Sequence, residues 1–78
     1  MNTAVKQKEK EIFKNAMNIA LLKDGRTPNR IARSLEIDDA GFYRLRDGKN
    51  LPDIRNYLKL KRWMESLGID LDRMIEAV

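Results

Sequence analysis

Along most of this 78-residue chain, apolar side chains return every three or four positions, the period of helices that bury one side. From about Lys8, the positions Ile12, Phe13, Ala16, Met17, Ile19, Ala20 and Leu22 form a broad band that runs to Lys23, and Asp24-Gly25 closes it. Residues 1–7 precede the band, show no helical stripe and are expected to form a mobile arm. Thr27 as N-cap and Pro28 at the first helical position open a second helix over 28–35, with Ile31, Ala32 and Leu35 inward. Asp38 caps a third over 39–47, with Phe42 and Leu45 inward and Asp39, Ala40, Tyr43, Arg44 and Arg46 outward, and Gly48 closes it.

Pro52 forces Leu51 into an extended conformation and then permits a fourth helix, from Pro52 or Asp53 to Ser66, with Asp53 in its first turn. This helix carries two apolar stripes. Ile54, Tyr57, Leu58 and Met64 form one, which suffices for the core, and Leu60, Trp63 and Leu67 form a second, offset from it. Gly68 ends the helix, and Asp70 caps a fifth, Leu71 to Ala77, with Leu71, Met74, Ile75 and Val78 on one side. The pattern therefore predicts an all-α fold of five helices, one domain over residues 8–78.

Composition narrows the chemistry. A chain this short buries only about 60% of its unfolded surface, so its stability is expected to lean on a partner subunit. With 42% apolar and 36% charged residues, a small helical globule is favoured over a disordered segment. The absence of Cys and His excludes disulfides, zinc fingers and Cys or His catalysis. The four glycines are too scattered for a phosphate-binding loop, and Asp38-Asp39, the adjacent carboxylate pair, reads as a helix cap plus one exposed acid rather than a metal site. No enzyme activity, cofactor or metal is expected. No apolar run is long enough to span a bilayer and the Lys-rich start lacks a signal peptide's apolar segment, so a soluble, cytoplasmic protein with no membrane contact is expected.

The net charge of +4 is unevenly placed. Residues 26–62 hold ten Arg or Lys against five Asp or Glu, whereas residues 63–78 hold one against four. The basic excess falls on the second to fourth helices, as expected of a surface that meets phosphates, and the acidic tail keeps the opposite end away from nucleic acid.

Taken together, Ile31-Ala32, the turn residue Ile37, the short helix from Asp39 to Arg46, Gly48 and Pro52 resemble the lambda-repressor-like helix-turn-helix family, also called the Cro/C1 or XRE type. The resemblance runs from Phe13 to Ile69 and implies a five-helix DNA-binding domain whose third helix is the recognition helix. Three positions depart from the family pattern. Glu36 stands where a turn glycine is usual, Pro28 where many members carry a polar residue, often Gln, that bonds the DNA backbone, and Arg46 where an acid is common. The fourth helix is also about one turn longer than the pattern.

A recognition helix offers its exposed side to base edges while neighbouring basic groups hold phosphates. Asp39, Ala40, Tyr43 and Arg44 are the candidate base readers, with Gly41 allowing close approach; Arg44 can bond guanine through two acceptors and Ala40 can meet a thymine methyl. Arg26, Asn29, Arg30, Arg46, Lys49 and Asn50 are the candidate phosphate holders. A single motif reads only a few base pairs, so a homodimer on a palindromic operator is expected, with Leu60, Trp63, Leu67 and Leu71 as its interface. The expected function is a sequence-specific regulator of transcription bound to double-stranded DNA, a repressor of phage, plasmid or mobile-element type. The alternative is an interaction module, such as an antitoxin-type partner, that grips a second protein through its C-terminal helices.

Overall fold

The computed structural model describes residues 3–77, with side chains from residue 7 onward. It is all-α, five helices in the order α1 (Thr3–Asp24), α2 (Pro28–Ser34), α3 (Asp39–Arg46), α4 (Ile54–Ser66) and α5 (Leu71–Glu76). At a rise of about 1.5 Å per residue, the 22 residues of α1 account for most of the 35 Å long axis. α1 starts earlier than its apolar band: residues 3–7, expected as part of an arm, continue the α1 backbone, and residues 1–2 lie outside the described residues.

Four helices begin on a side chain that accepts a backbone N–H three residues on: Thr27, Asp38, Asp53 and Asp70. Each satisfies an amide that the helix itself leaves unbonded. Asp53 is thus the cap of α4 rather than a residue of its first turn, because its carboxylate takes the Asn56 amide at 2.7 Å.

Three helices end in the same paired turn. After α3 the Lys49 amide donates to the Arg44 carbonyl (2.9 Å) and Gly48 to Leu45 (3.2 Å); after α4 Ile69 donates to Met64 (2.9 Å) and Gly68 to Glu65 (3.0 Å). After α2 Ile37 donates to Ala32 (2.9 Å) and Glu36 to Arg33 (3.1 Å). This geometry requires a left-handed residue at the bend, where glycine bears no steric penalty. Gly48 and Gly68 supply it at φ 75° and 80°, but α2 uses Glu36 at φ 57°. The turn is of the ordinary kind and Glu36 bears its strain.

The core takes Phe13, Ala16, Met17 and Ala20 from α1, Ile31 and Ala32 from α2, Phe42 and Leu45 from α3, and Leu60, Trp63 and Met64 from α4, with Ile37, Ile69 and Leu71 around them. Phe42 meets Trp63 with ring centroids 6.0 Å apart and Phe13 meets Tyr57 edge-on at 5.9 Å, so α4 is held to both α3 and α1 through aromatic rings. The α1 band is narrower than its sequence: Ile19 and Leu22 are exposed.

The assignment of α4's two stripes is overturned in part: Met64 is buried and Tyr57 packs against the core as expected, but the rest of the two stripes changes place. Leu60, Trp63 and Leu71, expected at a dimer interface, are 0%, 5% and 1% exposed and form the core of the single chain, with Leu67 packed against it. Ile54 and Leu58, expected inside, are 77% and 46% exposed. The indole fixes this rotation of the helix, since Trp63 lies between Phe42 and the end of α1, where its Nε1–H donates to Asp24 at 2.8 Å. The tail is tied down through Asp72, which accepts from the Tyr57 hydroxyl and pairs with Lys61 at 2.7 Å. The Asp72 carboxylate and burial push the Tyr57 hydroxyl up to about 12.

Candidate nucleic-acid interface

α3 is anchored from below by Phe42 and Leu45, and at its far end by α1. A Cβ added at Gly48 would come within 3.2 Å of the Lys14 side chain, a tight contact that marks how closely the end of α3 approaches α1, and the positive φ of 75° is what favours glycine there. With those residues inward, Ala40 and Arg44 are exposed, while Asp39 and Tyr43 are half-buried along the edges. The four candidate base readers therefore line the outer side and edges of one helix.

Tyr43 is more constrained than its position in the sequence suggested. Its hydroxyl donates to Asn29 Oδ1 at 2.5 Å, joining the outside of α3 to the first turn of α2. Because the Asn29 oxygen accepts from Tyr43, the Asn29 amide NH2 is the group left for another acceptor. The Arg46 guanidinium lies over the Tyr43 ring, 4.5 Å from its centroid, and its Nε pairs with Asp47 Oδ1 at 3.0 Å. Arg46 thus braces the tyrosine, a use that the expected phosphate role did not include.

Of the other candidate phosphate holders, Arg30, Lys49 and Asn50 are exposed. Among the described residues no carboxylate lies within ion-pair distance of Arg30, Arg44 or Lys49. Arg26 is placed differently. Its Nε and Nη2 form a fork on Asp24 at 2.7 and 2.9 Å, and the same carboxylate takes the Trp63 indole. The Arg26 and Trp63 bonds hold the Asp24 carboxyl well below the ordinary carboxylate range. The exposed Arg26 is therefore engaged at the joint between α1, α2 and α4, a use that its expected phosphate role did not include.

Gly41 has a helical φ, and a Cβ built on it meets nothing within 4 Å. Neither backbone conformation nor packing requires glycine there. In a helix, glycine costs roughly 0.5–1 kcal/mol relative to alanine, so α3 carries a penalty its own fold does not explain.

Asp38 is occupied as the α3 cap, its Oδ2 taking the Gly41 amide at 3.2 Å, and among the described residues no cluster of three or more acidic side chains could hold a metal ion. Among those residues no helix is long and apolar enough to cross a membrane. Comparison with protein-family models, curated proteins and solved structures finds no match to the chain.

Proposed function

We propose that this protein is a sequence-specific double-stranded DNA-binding regulator of the helix-turn-helix type, with α3 as its recognition helix and a dimer as its working form. The observation that carries the reading is the Tyr43–Asn29 bond, because it joins the outer side of α3 to the α2 end where Arg30 also lies. A helix with its side chains is about 10–12 Å across and the major groove is about 12 Å wide, so the eight residues of α3 fit into the groove. Ala40 and Arg44 then face base edges, and the Asn29 amide, Arg30, Lys49 and Asn50 hold the strands on either side. Gly41 supports the same reading: an absent Cβ with open space in front of it lets the helix backbone come close to a ligand.

Repression by occupying a promoter is the mode this arrangement suits, since nothing beyond the binding surface is then required. The interaction-module alternative loses its main support with the burial of Leu60 and Trp63 and the packing of Leu67 against the core, since that stripe of α4 was to receive the second protein.

The deciding experiment is selection of bound duplexes from a random pool. A consensus with twofold symmetry is expected, and recovery of no preferred sequence at low salt would overturn the reading.

A further inference from the structure

With Leu60, Trp63 and Leu71 in the core, a dimer must use another surface. We propose that the Ile54–Leu58 edge of α4, together with the hollow beside it, is a twofold contact with a second copy of this chain. Ile54 and Leu58 lie one helical turn apart and are 77% and 46% exposed, two large apolar side chains that the fold leaves uncovered. Beside Ile54 is a hollow of about 350 Å³ whose apolar walls include Phe13, Leu51, Tyr57 and Ile75.

Two features select a second copy as the occupant. The first is self-complementarity. A projecting Ile54 and a receiving hollow adjoin on one surface, and a twofold axis between copies places each isoleucine in the other's hollow. The second is charge. Glu9 is the one charged residue lining the hollow, and Arg55, exposed and adjacent to Ile54, has no carboxylate within ion-pair distance among the described residues. An inserted Ile54 carries Arg55 to the partner's Glu9 and aligns opposite charges at the rim.

The location also suits a DNA-binding dimer. Leu51 and Pro52 directly follow Lys49 and Asn50, so the contact adjoins the loop assigned to phosphates, and a twofold axis there relates two copies of α3 as a dimer on two half-sites needs. That last step rests on the DNA-binding reading; the association itself does not.

Sedimentation of the full chain without DNA, over a range of concentrations, tests the contact. A monomer–dimer equilibrium is expected, and Ile54→Lys should raise its dissociation constant by about 30-fold or more, the loss typical of a central interface side chain. Helical circular dichroism should not change, because Ile54 is exposed. Glu9→Lys and Arg55→Glu should each weaken the dimer and the double exchange should restore it, a rescue that general destabilisation cannot imitate. A wild-type chain that stays monomeric, or a dimer indifferent to Ile54→Lys and to the charge exchange, would overturn the proposal. A monomer that still selects one DNA sequence would overturn it and leave the DNA reading intact, and a dimer that binds no DNA would do the reverse.

Discussion

Lys59 Nζ donates to the Glu36 carbonyl oxygen across 3.0 Å, and through this bond α4 holds the one non-glycine residue with positive φ among the described residues. The turn between α2 and α3 sets the direction of the proposed recognition helix, so the strained residue and its clamp act on the angle at which α3 is presented.

Replacing Glu36 with glycine is therefore expected to stabilise the fold. A side chain in the left-handed region costs about 1–2 kcal/mol, and the extra freedom glycine gives the unfolded chain takes back about 0.4–1 kcal/mol. The Lys59 bond survives because it goes to backbone. A net gain of roughly 0.5–1 kcal/mol raises the melting temperature by several degrees in a domain of this size. Thermal unfolding followed by circular dichroism measures it, and a lower midpoint would show Glu36 to be relaxed where it stands.

Arg44 and Lys49 are both exposed and, among the described residues, without an ion-pair partner, yet their proposed contacts differ. Arg44→Ala should cost about 1–3 kcal/mol on the preferred sequence and relax preference, as loss of a base contact does. Lys49→Ala should weaken all duplexes alike and reduce the log–log salt slope by about 0.9, the share of one phosphate. Titrations of specific and random duplex at several salt concentrations separate the two, and equal losses on both duplexes for both variants would refute the assignment.

Gly41 offers a test in which stability and binding move in opposite directions. A Cβ there meets nothing in the chain, so Gly41→Ala should stabilise α3 by roughly 0.5–1 kcal/mol. If the DNA comes as close as proposed, the same methyl should lower affinity. A variant that gains stability and binds as well as the parent would remove Gly41 from the interface.

The helices were legible because their signals are local. Thr27, Asp38 and Asp70 each cap the helix that their position before an apolar stripe predicted, and Gly48 and Gly68 close the turns their spacing required. Glu36 was legible as an anomaly for the same reason, since its left-handed φ is a matter of one bend. The rotation of α4 was not. Two stripes of similar apolarity describe it equally well in sequence, and the choice falls to contacts distant along the chain, Trp63 with Phe42 and with Asp24. The polar pairings of the candidate interface escaped likewise. Nothing in spacing alone joins Asn29 to Tyr43, or turns Arg26 back onto Asp24. A Trp in a chain with no other, followed by an acid-capped tail, was the available hint that α4 turns its indole inward.

The Asp24 joint gives the chain a predictable acid response. Asp24 has an ordinary value of 3.8, and the bonds from Arg26 and then Trp63 lower it in the folded chain. Depression of a carboxyl's folded pKa stabilises the fold above the unfolded value and is lost as pH falls through the folded one. Asp24→Asn keeps an oxygen for the indole but removes the charge from the Arg26 fork. The variant should therefore be less stable than the parent at neutral pH, and the difference should shrink as pH falls below about 4, where the unfolded chain takes up the proton first. Trp63 is the only tryptophan and donates to this carboxylate, so its fluorescence reports the transition directly. Urea unfolding of both chains at several pH values from neutral into acid measures the difference, and a gap that stays constant over that range would show that the Asp24 charge contributes nothing to the joint.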